Sequence, residues 1–158
     1  MSGSALRTAQ FHPDGHLIAT GASDGQIKIF DVKTGANAAN FEESSPVVAL
    51  DFSENGIWLA AVAEGSTSVS IWDLRKSQKI RELDMGGPLV TLKWDYTGQF
   101  LAAAGPGGLT VQAYDKGKKE WRQLLQVAVP GVAVEWGKEA SSLVVVNESG
   151  VVTVLEAS

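Results

Sequence analysis

The stretch Phe52-Ser53-Glu54-Asn55-Gly56-Ile57-Trp58-Leu59-Ala60-Ala61-Val62-Ala63-Glu64-Gly65-Ser66-Thr67-Ser68-Val69-Ser70-Ile71-Trp72-Asp73 decides the fold. Before it, Val48, Leu50 and Phe52 alternate along one strand, and Glu54-Asn55-Gly56 then turns the chain. Trp58 to Val62 is a short apolar run, Glu64-Gly65-Ser66 is a second turn, and Val69 to Trp72 is a third strand. Lys79-Ile80-Arg81-Glu82-Leu83 follows as a polar fourth. Short apolar or alternating runs bounded by turn residues read as strands, and Gly supplies the positive φ of tight hairpins. The unit is a four-stranded antiparallel meander.

Outward from this stretch the same unit repeats. Pro46, Pro88 and Pro130 stand 42 residues apart. An aromatic before a turn recurs as Phe11, Phe52, Trp94 and Trp136. A large apolar residue followed by an acid recurs as Phe30-Asp31, Trp72-Asp73, Tyr114-Asp115 and, weakly, Leu155-Glu156. The first turn recurs as Pro13-Asp14-Gly15 and Tyr96-Thr97-Gly98, with Ala140 replacing the Gly in the last copy. A repeat of about 40–45 residues carrying a Trp-Asp pair is the signature of a propeller blade.

The predicted fold is therefore an all-β propeller of about four blades, with copies at Ala5–Pro46, Val47–Pro88, Leu89–Pro130 and Gly131–Ser158. The last copy holds three strands, and no spare strand is seen to close a ring. The chain thus reads as the C-terminal half of a seven-bladed propeller, and Met1-Ser2-Gly3-Ser4 as an initiator with a cloning scar. Phe11, Phe30, Phe52, Trp72, Trp94, Tyr114 and Trp136 hold fixed repeat phases and read as blade-packing core. Trp58 and Trp121 break phase and are the candidates for exposed contacts.

Composition sets limits on function. The 158 residues are 44% apolar, with 17 Gly, no Cys and a net charge of −5. Disulfides and thiolate metal sites are excluded. No run approaches the roughly 18–20 apolar residues of a membrane span, and the first residues lack the pattern of a signal peptide. A general nucleic-acid binder would need surplus Lys and Arg to displace phosphate counterions, so direct binding of nucleic acid is not expected. The one basic cluster, Lys116-Gly117-Lys118-Lys119, reads as a solvated loop.

Candidate chemistry fails on context. Gly21-Ala22-Ser23-Asp24-Gly25 matches the nucleophile-elbow spacing, but a strand-like run follows it where the elbow needs a helix. His12 and His16 flank a turn and lack the further ligands of a structural zinc site. Glu42 and Glu43 suggest acid–base work only formally, since no partner nucleophile is near, and they read as a charged loop. A small-molecule site in the ring's channel would need converging polar residues, yet Val47-Val48-Ala49-Leu50 and Leu89-Val90-Thr91-Leu92 are mostly apolar. No catalytic residue, metal or cofactor is expected, and binding is the expected function.

The runs Gln26-Ile27-Lys28-Ile29-Phe30-Asp31, Asn37-Ala38-Ala39-Asn40-Phe41, Phe52-Ser53-Glu54-Asn55-Gly56 and Trp72-Asp73-Leu74-Arg75-Lys76 resemble one family. They look like the C-terminal WD-repeat domain of the pre-mRNA-processing factor nineteen family, in a fungal-like form. The resemblance implies a nuclear parent with an N-terminal U-box ubiquitin-ligase domain, a tetramerising coiled coil and a propeller that recruits substrates and spliceosomal proteins. The sequence also departs from WD repeats. No Gly-His dipeptide precedes Pro46 or Pro88, so the Asp-His-Ser/Thr-Trp network of model repeats cannot form, and Asp24 lacks its histidine.

Blade topology then sorts the charges. Loops from fourth to next first strand share a face with those joining second and third strands, which places Asp24, Glu42, Glu43, Glu64, Asp84 and Glu148 together. The opposite face carries Lys33, Arg75, Lys76, Lys116, Lys118 and Lys119, partly offset by Asp14, Glu54 and Asp95. The acidic face is the expected dock for basic peptide segments of protein partners. RNA binding, or an adaptor role unrelated to splicing, is the alternative. The open ends of the half-ring are expected to pair with a missing N-terminal half or with a second copy.

Overall fold

The computed structural model describes residues 4–156. The scar reading of residues 1–3 and the last two residues of the fourth copy lie outside them. Four antiparallel meanders follow one another along the chain. The first is β1 (Leu6–Phe11), β2 (Leu17–Ala22), β3 (Gln26–Asp31) and β4 (Asn37–Glu42). The second is β5 (Val47–Phe52), β6 (Trp58–Ala63), β7 (Ser68–Asp73) and β8 (Gln78–Asp84). The third is β9 (Thr91–Trp94), β10 (Phe100–Gly105), β11 (Gly108–Asp115) and β12 (Glu120–Val127). The fourth has three strands among the described residues: β13 (Ala133–Trp136), β14 (Ser142–Val146) and β15 (Val152–Glu156). The first strands lie side by side, β1 against β5, β5 against β9 and β9 against β13.

The recurrent Phe/Trp/Tyr-Asp pair has a local cause. Each Asp accepts a backbone N–H from the turn that follows: Thr34 to Asp31 at 2.8 Å, Arg75 to Asp73 at 2.9 Å and Gly117 to Asp115 at 2.9 Å. A short carboxylate in an Asx turn thereby starts the third hairpin of each blade. The first hairpins need a left-handed residue, supplied by Gly15, Gly56 and Gly98 with φ of 76°, 70° and 72°. In the fourth copy Glu139 and Ala140 occupy that region at 56° and 55°, so a short 3-10 turn replaces the glycine turn.

Packing between blades follows one rule. Small or branched residues of the second and third strands form a receiving face, and the next blade inserts residues of its first strand and of the segment leading into it. Ala60, Val62, Val69 and Ile71 receive Leu89, Leu92 and Trp94. Ala19, Ile27 and Ile29 receive Val47, Leu50 and Phe52. Ala102, Ala104, Leu109 and Val111 receive Val134 and Trp136. Polar ties reinforce each joint. The Trp94 indole N–H donates to the Asp51 carbonyl at 3.2 Å, and the Trp136 indole N–H to the Lys93 carbonyl at 2.9 Å, one repeat on.

The repeat-phase aromatics differ in burial. Phe52, Trp72 and Trp94 are buried, while Phe30, Tyr114 and Trp136 are half-buried. Phe11 is 61% exposed and is not core. The cover that Phe52 receives from the first blade has no counterpart on the side of β1 among the described residues. Trp58 and Trp121 reverse the other expectation. They pack on each other at 5.9 Å and on Trp94 and Tyr114, joining blades two and three rather than standing free.

Candidate partner-binding surfaces

Backbone bonds fix which loops share an end. Each fourth-to-first connection ties to the second hairpin of its own blade: Glu43 N–H to Gly25 O, Met85 to Thr67, and Gly131 to Gly105, at 2.8, 2.9 and 3.0 Å. The other end is tied likewise, Val32 to His16, Leu74 to Ile57 and Tyr114 to Gln99. The Gly21–Gly25 motif is one of these second hairpins, a strand on either side, so no nucleophile elbow exists there.

At the first end, Asp24, Glu42, Glu64, Asp84 and Glu148 are exposed. They divide further. Asp24 accepts the Gln26 N–H at 3.0 Å and Asp84 the Gly86 N–H at 2.8 Å, so both shape turns. The Gln26 N–H, helped by the Ser4 side chain, holds the Asp24 carboxyl below its ordinary range. Glu64 meets Arg7 at 3.7 Å, an exposed pair. Beside Glu148 a hollow of about 430 Å³ opens, lined by Val90, Pro106, Pro130, Val132 and Asn147. An apolar seat thus adjoins the acids.

Glu43 does not belong to that surface. It is buried, and its carboxylate accepts the Trp72 indole N–H at 2.9 Å and the Lys79 ammonium at 3.4 Å. Lys79 also reaches Glu82 at 3.0 Å and lies 5.2 Å over the Trp72 ring, and Phe41 stacks on that ring with centroids 4.7 Å apart. Partial burial pulls the Lys79 pKa down, but the Glu82 hydrogen bond and the Glu43 charge outweigh it and leave it raised. An acid in the connecting loop supplies the acceptor for the third-strand Trp, in the absence of a histidine.

The opposite end carries the bases around the Asp-capped turns, with Lys119 itself in the left-handed region at φ 56°. His12 belongs to this end. Its Nε2–H donates to Gly56 O at 2.9 Å and its ring meets Phe52 edge-on at 5.1 Å, which ties blade one to blade two. No group of three or more metal-ligating side chains occurs among the described residues.

A third feature is absent from the sequence reading. The residue before each repeat aromatic is Gln10, Asp51, Lys93 and Glu135 in turn, and these stand on the innermost strands. Asp51 accepts the backbone N–H of Trp94 at 2.8 Å. Burial pushes its carboxyl up to about 6, against the opposing pull of that N–H and of Lys93; Glu135 raises it further. The innermost strands are therefore less apolar than their first four residues suggest. The available signal was a charge at one repeat phase in three copies.

Comparison with known proteins places these surfaces on a named fold. A family model described as the anaphase-promoting complex subunit 4 WD40 domain matches residues 2–55. Pre-mRNA-processing factor 19 of Oryza sativa subsp. japonica is 51% identical over 57 residues, 35% of this chain and 11% of that protein. The Homo sapiens protein of that name is 50% identical over 52 residues, 32% of this chain and 10% of that protein. The Schizosaccharomyces pombe one is 36% identical over 59 residues, 37% of this chain and 12% of that protein. The matched part is thus about a tenth of those relatives' length. A chain of a mitotic checkpoint complex crystal structure superposes with TM-score 0.82 at 12% identity, covering 96% of this chain and 49% of that one. The Cps50 (Swd1) β-propeller domain of Myceliophteria thermophila gives 0.81 at 19% identity, covering 99% and 53%. The fold is a WD-repeat β-propeller, and the sequence resemblance is to the WD-repeat region of pre-mRNA-processing factor 19.

Proposed function

We propose that the chain is a non-catalytic protein-interaction module whose acidic end docks basic segments of protein partners. The observation that carries this reading is the sorting of exposed charge: acids on the second hairpins and fourth-strand ends at one end, bases on the turns at the other. Arg7 beside Glu64 leaves a surplus of acid at that end, and such a surplus steers a basic partner and repels RNA. The apolar hollow beside Glu148 offers an uncharged residue of the same segment a seat. Propellers carry function on loops held by a rigid scaffold.

The resemblance to pre-mRNA-processing factor 19 sets the context: a nuclear role in splicing, recruiting partners or substrates for a ubiquitin ligase. The chemistry of such a ligase is proposed for the whole protein, not for these blades. RNA binding is the weaker reading, because Trp58, Trp94, Tyr114 and Trp121 are packed on one another.

The test reverses charges that shape no turn. Glu64→Lys with Glu148→Lys should slow association with a Lys/Arg-rich peptide about tenfold at low salt and flatten its salt dependence. An unchanged rate at low salt would show that the acidic end is not the docking surface.

A further inference from the structure

We infer that the hollow beside Glu148 reads one large aliphatic side chain, so that the partner segment carries a leucine or isoleucine next to its Lys or Arg; this rests on the docking of basic segments at the acidic end. The seat is built by a recurrent irregularity of the innermost strands. In blades one and two the ladder register shifts at Arg7 and Val48, which leaves each as an extra residue. Val90 and Val132 hold the same repeat phase. Val90 N–H donates to Ala104 O, which Thr91 already faces, and Val132 N–H to Val146 O, which Ala133 faces, at 2.9 and 2.7 Å. Two residues opposite one make a β-bulge, a device that re-aims a side chain at a sheet rim.

The bulge removes the cover from these valines. Leu89 and Gly131, one residue earlier, are buried, while Val90 and Val132 are 43% and 41% exposed. Val90 has a blade on either side and Val132 matches it, so the exposure belongs to the repeat phase. Both valines line the hollow of about 430 Å³, with Pro106 and Pro130 as stiff walls. A preformed apolar seat takes a side chain at little ordering cost. The one ionisable group among its described lining residues is Glu148, which is exposed and forms no ion pair among the described residues. An apolar seat beside a free carboxylate is complementary to an aliphatic residue flanked by a cation.

Two Lys/Arg-rich peptides of equal length and charge test it, one with Leu between its basic residues and one with Ser there. Fluorescence anisotropy at about 0.15 M salt should show the Leu peptide bound about tenfold tighter, with the difference in the dissociation rate. Val90→Ser with Val132→Ser, at two exposed positions, should bind both peptides alike and keep the wild-type association rate at low salt. Equal affinity of the wild type for the two peptides overturns the inference and leaves the acidic dock standing. A double variant that still prefers Leu overturns it as well, since the residue is then read elsewhere. Binding of neither peptide at low salt removes the dock and the inference together. The wild-type comparison decides alone if the urea midpoint of the double variant reports an unfolded chain.

Discussion

The indole N–H of Trp72 donates to the buried Glu43 carboxylate across 2.9 Å, joining the loop that enters blade two to the third strand of that blade. Lys79 closes the arrangement by bonding Glu43 and lying on the Trp72 ring. One buried carboxylate thus holds both an indole and a cation.

Removing that acceptor leaves the buried indole N–H without a partner and Lys79 with Glu82 alone. Glu43→Ala should therefore cost about 1–3 kcal/mol, and Glu43→Gln, which keeps an acceptor, should cost less. Urea titration reads both. Equal midpoints for wild type and Glu43→Ala would mean that the Trp72 contact contributes nothing net.

Asp51 makes stability depend on pH. Its folded pKa of about 6 lies above the ordinary 3.8, so the folded state holds a proton that the unfolded chain has released. Stability from this group is greatest below about pH 4, falls as pH rises through about 6, and is flat above. The full difference is about 2–3 kcal/mol. Asp51→Asn keeps an oxygen for the Trp94 N–H and removes the ionisation. It should unfold at higher urea than wild type at pH 8 and at the same urea at pH 4. A gain that is equal at both pH values would show that the carboxyl is not held protonated.

Two turns test the backbone account from opposite directions. Ala140, at φ 55°, sits where an L side chain is strained, so Ala140→Gly should stabilise by about 0.5–1 kcal/mol. Gly56 has φ 70° and an added Cβ would run into the His12 ring. Gly56→Ala should lower the thermal midpoint by several degrees, with the loss set by strain and by the His12 tie to Gly56 O.

Most of the fold is legible in the sequence because its cause is local and repeated. A glycine turn, an alternating run and an Asp that caps the next turn appear in register, as Gly56, Val69–Trp72 and Asp73 do in blade two. The misreadings share the opposite property, since each depends on a neighbour far along the chain. Glu43 looks like half of a solvated acid pair until Trp72, 29 residues on, supplies its partner. Trp58 and Trp121 break the repeat phase because they fill a joint between different blades. Repeat phase assigns Phe11 to a packing face, but whether another blade covers that face is a separate fact. The charged row Asp51, Lys93 and Glu135 is masked in the sequence because each lies between two apolar residues.

The central claim is that the exposed charge of this propeller selects a basic protein segment over a nucleic acid. A salt titration of the wild-type chain against a Lys/Arg-rich peptide and a single-stranded RNA of equal length tests it directly. The account predicts peptide binding that weakens steadily as salt rises, and no RNA binding under the same conditions. RNA binding with a steep salt dependence, together with no peptide binding at low salt, would contradict it.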